Sequence, residues 1–321
     1  MRKRFVFARE DRPDAAWFRR FAAGRAEAER WYRGEGRAEP PSAAECRAAL
    51  ARHMPELVAP YDRACALVGD DDVAHRMLSH WRPPPLASGC SQAIWLGADG
   101  PALVRNYDFR LEVVSERFES TSWFGREVIA KAQRPWGGCI DGMNEDGLVA
   151  SLTFGGSPDE GRGFSVILML RYVLEICRHV EEAVAALSRI PIALSQNVML
   201  LDRSGAYATV FLGPDRAPAV SRARACTNHQ EAIGRVPDSV ERLRVVLAAL
   251  DEPDSSLADL VARFLRPPLH SRRAASTTVY TAVYRPAEGR VDYHWPGKLV
   301  SQRIGGFEPA NYTHDYGALT A

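Results

Sequence analysis

The stretch that decides the fold is Ser88-Gly-Cys-Ser-Gln-Ala-Ile-Trp-Leu-Gly-Ala-Asp-Gly-Pro-Ala-Leu-Val-Arg-Asn-Tyr-Asp-Phe109. Ser91 to Leu96 and Ala102 to Tyr107 read as two short strands, and Gly97 to Gly100 reads as the hairpin turn between them. A connection this short joins antiparallel strands, because a parallel pair needs a long crossover. Upstream, Arg82-Pro-Pro-Pro85 reads as an extended linker, since each proline fixes its own φ and restricts the residue before it. The first 80 residues look helical. Asp14 to Trp31 forms one candidate helix, and a break runs from Gly34 to Pro41. Ser42 with Glu45 three residues on makes a capping box for the next helix. Downstream, Gly147 to Phe154 reads as a strand. Val166, Leu170, Val173, Cys177, Val180, Val184 and Leu187 then step by three and four, the spacing of one long core-facing helix. Asn197 to Leu201 and Ala206 to Phe211 make a second hairpin. Helices near Ser239 to Leu250 and Ser256 to Leu265 precede strands Thr277 to Tyr284 and Arg290 to His294. Hairpin-linked strands interrupted by helices make the fold class α+β.

The composition is that of a globular chain with a sizeable core. It has 321 residues, 46% of them hydrophobic and 25% charged. A net charge of +1 argues against nucleic acid as a main partner. Phe164 to Leu170, the best apolar run, stops at Arg171, so no membrane span is expected. Phe5 to Ala8 is too short for the h-region of a signal peptide. Six cysteines in a chain this long are no disulfide framework, and a cytoplasmic location with reduced thiols follows.

Cys90 is the candidate nucleophile. It follows Gly89, whose missing side chain lets another group approach the Gly89 carbonyl. Attack by the thiol would convert that peptide bond to a thioester, and hydrolysis would leave a chain that begins at Cys90. Its α-amine, with an ordinary pKa near 7.7–8.0, would then be a built-in base. The hairpin returns Arg105 and Asp108 toward the cysteine. Arg105 would lower the thiol pKa by its charge, and Asp108 would hold the α-amine. Asn144, in the turn Gly142-Met-Asn-Glu-Asp-Gly147, and Asn228, in Cys226-Thr-Asn-His229, are two carboxamides suited to an oxyanion hole. The competing reading of Asn144 is a turn asparagine that bonds its own backbone. Cys226 and His229 are half of a zinc site without a second half, so no metal is expected. Trp123 and Phe124 lie in a stretch between Asp108 and Asn144 that reads as irregular, the place for a substrate loop.

These motifs, in this order, resemble the N-terminal-nucleophile (Ntn) hydrolases. Gly89-Cys90-Ser91, the block that ends at Asp108, Met143-Asn-Glu-Asp-Gly-Leu148 and Thr227-Asn228-His229 carry the resemblance, over about residues 88 to 300. The chain looks most like the peptidase C45 family, whose namesake is acyl-coenzyme A:6-aminopenicillanic acid acyltransferase. The choloylglycine hydrolases look like more distant relatives. The resemblance implies a four-layer αββα sandwich of two antiparallel sheets between helices. It also implies a helical leader, residues 1–89, released as a small chain by cleavage between Gly89 and Cys90, and a catalytic domain, residues 90–321. Cys90 would be the nucleophile, Asp108 would orient its amine, and Asn228 and Asn144 would be the oxyanion donors. Arg105 matches an active-site arginine of the choloylglycine branch. A late arginine of that branch has Ser271-Arg272-Arg273 as its candidate.

The expectation is therefore a self-processing cysteine acyltransferase or amidohydrolase. It would act on a linear amide or acyl thioester and need no cofactor, with acyl-coenzyme A admitted as a substrate. Its partners would be that small molecule and its own cleaved N-terminal chain. Trp123, Phe124 and His229 would line the pocket. The alternative is an unprocessed, non-catalytic protein that binds an acyl compound on the same fold.

Overall fold

The hairpin that opens the reading forms as expected in a computed structural model that describes residues 1–33, 41–84, 89–133, 137–234 and 236–320. Strands β2 (Gly89–Trp95) and β3 (Ala102–Phe109) pair antiparallel, Gly89 opposite Asp108 and Trp95 opposite Ala102. They belong to a sheet in the order β11-β2-β3-β13-β14-β15, with β12 added on β13. Its other members are β11 (Ala225–Cys226), β12 (Arg272–Arg273), β13 (Ser276–Arg285), β14 (Arg290–Trp295) and β15 (Lys298–Arg303).

A second sheet has nine strands in the order β10-β9-β8-β7-β6-β5-β4-β1-β16. It is built from β1 (Arg2–Arg9), β4 (Arg117–Thr121), β5 (Val128–Gln133), β6 (Gly138–Asn144) and β7 (Val149–Phe154), with β8 (Gln196–Leu201), β9 (Tyr207–Leu212), β10 (Ala219–Ser221) and β16 (Ala310–Asp315). The two sheets face each other across an aromatic layer. Phe118 of β4 lies 4.4 Å from Tyr293 and 5.2 Å from Tyr280, ring centre to ring centre. Helices α5 (Val166–Ile176) and α6 (Val180–Arg189) cover the outer face of the nine-stranded sheet. Helices α7 (Pro237–Leu250) and α8 (Leu257–Phe264) cover the outer face of the other. The architecture is the four-layer αββα sandwich that the family resemblance implied.

Three expectations need correction. The N-terminal stretch, expected to be helical, begins with β1. Its alternating Phe5 and Phe7 are buried between the sheets, Phe7 stacked on Phe118 at 4.6 Å. The strand pairs antiparallel with β16 but parallel with β4, so the nine-stranded sheet is not wholly antiparallel. Helices α1 (Ala15–Arg33), α2 (Ala43–His53), α3 (Val58–Val68) and α4 (Asp72–Leu78) follow and extend the layer beside α5, where Tyr172 donates to Glu56. The capping box of Ser42 and Glu45 forms as expected.

The second correction concerns the long helix, which is two helices. At Cys177 the backbone turns extended, with ψ 148°, and His179 caps a new start. The apolar stripe runs on across the break because both helices rest on the same sheet. Third, the stretch between Asp108 and Asn144 is not irregular; it supplies β4, β5 and β6. The break expected from Gly34 to Pro41 and the end of the proline linker fall mostly outside the described residues, as does Ser88. Among the described residues no helix is long and apolar enough to cross a membrane.

Candidate active site

Strand β2 is bordered by β3 on one side and by the short β11 on the other. The register with β11, Ala225 opposite Ala93 and Cys226 opposite Gln92, brings Asn228 level with Cys90 when continued. The Cys90 N–H points to this edge and donates to Asn228 Oδ1 at 2.8 Å. Arg242 of α7 binds the same corner. Its Nη1 donates to the Cys90 carbonyl at 2.6 Å and to Ser91 Oγ at 2.9 Å, and its Nη2 donates to Asn228 Oδ1 at 2.9 Å. With two donors on Oδ1, the amide nitrogen of Asn228 turns the other way.

Side chains alternate along β2, so Cys90 and Gln92 point between the sheets while Ser91 and Ala93 point to α7. In the inter-sheet layer, Arg105 Nη2 donates to Cys90 Sγ at 3.0 Å. The Arg105 Nη1 group lies 2.9 Å from Asp141 Oδ2 and also donates to Ser151 Oγ and the Ile140 carbonyl, both at 3.1 Å. Both members of this ion pair are fully buried. Asp141 further accepts from Tyr280 Oη at 2.5 Å and from Tyr284 Oη. Burial alone would lower the Arg105 pKa, but the Cys90 sulfur and Asp141 beside it more than offset this and raise it. The guanidinium therefore stays charged against the sulfur. Burial instead pushes the thiols of Cys139, Cys177 and Cys226 up to about 12 and that of Cys65 up to about 11. Thiols held that high are poor nucleophiles.

Asp108 lies opposite Gly89 in the ladder, on the face turned to α7. It accepts from Thr278 Oγ1 at 2.7 Å. Burial raises its pKa to about 6, against the opposing pull of Arg242 and Thr278. The packing at Gly89 is close: a Cβ there would lie 2.6 Å from Ser276 Oγ and 3.2 Å from Asp108 Cβ.

Cys90, Gly89, Arg105, Asp108 and Asn228 thus lie together; Asn144, Trp123 and Phe124 lie elsewhere. Asn144 lies on the outer face of β6. Its Nδ2 donates to the carbonyls of Leu174 and Cys177, and its Oδ1 accepts from Leu148 N across the turn where Gly147 has φ +83°. It closes that turn and caps α5, the role usual for asparagine in a turn. Trp123 sits in the turn between β4 and β5 on the same outer side, with the Arg171 guanidinium 5.1 Å from its ring centre. The nine-stranded sheet separates it from Cys90. Phe124, beside it, is exposed and shares a shallow cleft with Pro13, Pro60 and Arg63. His229 is next to Asn228 but bonds Ser239 Oγ of α7 at 2.7 Å, so it anchors the loop. It also lines an apolar cavity of about 500 Å³ with Phe211, Cys226 and Leu243. Arg272 is not against Cys90: it donates to the Ala318 carbonyl, while Arg273 reaches Asp238. Arg272 and Arg273 line a cavity with Asp108 and Arg242, and Arg242 is the one of the three that bonds the Cys90 carbonyl.

Residues 95–299 match the family model described as acyl-coenzyme A:6-aminopenicillanic acid acyl-transferase. The chain belongs to that family. The span matched by the acyl-transferase model begins just after Cys90 and includes Arg105, Asp108, Asp141, Asn228 and Arg242. A search of curated proteins finds no match. Among solved structures, this acyl-transferase family chain is similar to a mutant of conjugated bile acid hydrolase from Clostridium perfringens. That pair has 15% identity and a TM-score of 0.49, over 71% of this chain and 97% of the other. Penicillin V acylase from Agrobacterium tumefaciens gives 15% identity and a TM-score of 0.47, over 67% and 86%. A Caenorhabditis elegans ortholog of N-acylethanolamine-hydrolyzing acid amidase gives 14% and 0.45, over 62% and 93%.

Sequence reasoning missed Asp141 and Arg242. Asp141 left a signal, a lone carboxylate in a run of otherwise buried strand residues. Arg242 left none, because one arginine among several on an amphipathic helix looks like surface.

Proposed function

We propose that this chain is a self-processing acyltransferase or amidohydrolase with Cys90 as its nucleophile. The observation that carries this reading is the Cys90 corner: a guanidinium 3.0 Å from the sulfur and a carboxamide oxygen 2.8 Å from the nitrogen. One contact favours the thiolate, and the other holds the atom that would become the α-amine.

In processing, Cys90 Sγ adds to the Gly89 carbonyl carbon and the thiol proton passes to the amide nitrogen. The C–N bond breaks and leaves a thioester between Gly89 and Sγ together with a free α-amine. Water then hydrolyses the thioester to the Gly89 carboxylate and the Cys90 thiol. In catalysis the α-amine takes the thiol proton, and Sγ adds to the carbonyl of a linear amide or of a thioester such as an acyl-coenzyme A. The proton goes to the leaving amine or thiol as its bond to carbon breaks. Water or an acceptor amine then takes the acyl group from sulfur. Asp108 and the Asn228 oxygen hold the amine, and the Asn228 Nδ2 serves the oxyanion. Arg242 fixes Asn228 and the Cys90 carbonyl. Asn144 takes no part.

The test is the intact mass, under denaturing conditions, of wild type beside Cys90→Ala. The expected result is wild type split into 89 and 232 residues, which together make the 321, with the variant whole. Wild type that stays whole, with a Cys90 inert to acylating esters, would refute the reading in favour of a binding protein.

A further inference from the structure

Three buried polar atoms around Cys90 have no hydrogen-bond partner among the described residues: Gln92 Oε1, Arg105 Nε and the Tyr107 hydroxyl. All three side chains belong to the inner face of the β2–β3 hairpin, with Cys90 opposite Tyr107 and Gln92 opposite Arg105. The four residues form a two-by-two block, each of them fully buried. Because the Cys90 N–H and C=O point to the β11 edge, Cys90 and Tyr107 are a non-hydrogen-bonded pair. In such pairs the Cα atoms are about 4.5 Å apart and the side chains run close together.

Buried hydroxyls and carboxamide oxygens are rarely left unpaired, because the lost hydration is not recovered. Arg105 is already engaged through both terminal nitrogens, but Tyr107 and Gln92 are engaged at neither of these oxygens. The Tyr107 ring is fixed between Phe109, at 5.8 Å, and Tyr280, at 5.7 Å. Its oxygen lies a ring's length beyond Cβ, whereas Sγ lies one bond beyond its own Cβ. The carbonyl carbon and the next one or two atoms of an acyl group on Sγ span that difference.

We infer that Tyr107 and Gln92 select acyl groups that carry a hydroxyl one or two carbons beyond the reacting carbonyl. The Tyr107 O–H donates to the substrate hydroxyl oxygen, and Gln92 Oε1 accepts the substrate hydroxyl hydrogen. A hydroxyl is both acceptor and donor, so one substrate group satisfies both orphaned atoms. A plain alkyl acyl group would leave both unpaired, and sites built to bond a hydroxyl discriminate against its absence. The inference rests on Cys90 as the nucleophile.

The test compares acylation of Cys90 by the butanoyl and 3-hydroxybutanoyl thioesters of N-acetylcysteamine, both enantiomers of the latter, followed by intact mass. Wild type should react with one hydroxylated enantiomer about tenfold faster or more. Tyr107→Phe should erase that preference and leave the butanoyl rate within about twofold. Gln92→Met should act in the same direction. Equal wild-type rates, or a Tyr107→Phe variant that slows both esters alike, would overturn the inference. Acylation by neither ester would overturn the enzyme reading itself, so the two failures are distinguishable.

Discussion

Removing the Asp141 carboxylate tests how the Cys90 site is held together. Asp141 and Arg105 are a fully buried ion pair at 2.9 Å, and Tyr280 and Tyr284 donate to the same carboxylate. Asp141→Asn keeps the volume and one acceptor oxygen but leaves the guanidinium without its counter-charge. Breaking a buried pair by removing one partner typically costs about 3–5 kcal/mol, because the remaining charge stays desolvated. That corresponds to roughly two to three and a half powers of ten in the unfolding equilibrium. The measurement is urea unfolding in a Cys90→Ala background, where every variant is a single chain. Arg105→Met alone should also be costly, since it leaves the carboxylate and two phenols with the wrong balance of charge. The double variant should lose less than the sum of the two, because the pair interaction is counted only once. A loss below about 1 kcal/mol for Asp141→Asn, or strict additivity in the cycle, would refute the view that this pair holds the arginine in place beside residue 90.

Asp108 has a pKa raised to about 6 by burial, and its role requires the ionised form. Because the folded pKa exceeds the unfolded one, the protonated acid favours the fold at low pH. That advantage is lost as pH rises through about 6, so Asp108→Asn should unfold at no lower urea concentration than its parent at pH 7. Asn144→Ala should cost about 1–3 kcal/mol through the bare carbonyls at the end of α5, with activity per folded molecule unchanged. Titration of active protein by a thiol-directed acylating ester separates the two effects. Trp123→Ala should leave kcat/KM within about twofold, because the residue is on the far face of the nine-stranded sheet; a tenfold loss would place the substrate there instead.

The β2–β3 hairpin, the Asn197 and Ala206 strands and the Ser42 cap were legible because short turns and caps are local. So was the gathering of Cys90, Arg105 and Asp108, since a hairpin fixes which residues return to its start. Asn228 could be named as a candidate amide but not placed, because its position depends on β11 adding to the edge of β2 from far along the chain. Asn144 misled the reading because its type suits both roles. Only the face of β6 decides between them, and β6 was not foreseen. Strand β1 was hidden by its arginines, which outnumber Phe5 and Phe7. The break at Cys177 was hidden because two helices on one sheet present one continuous apolar stripe.

Strand β1 has hydrogen-bonded neighbours on both sides, β4 and β16. That placement bears on the order of events for any cut at Gly89. An uncut chain lays β1 into its slot within one molecule, so folding before scission avoids a bimolecular step. After such a cut β1 would remain the second strand from the edge of the other chain's sheet, between β4 and β16, and the first 89 residues could leave only if that edge were opened. Unfolding and refolding of the cut protein would then be bimolecular, with a midpoint that depends on protein concentration, while the uncut Cys90→Ala chain would refold independently of it.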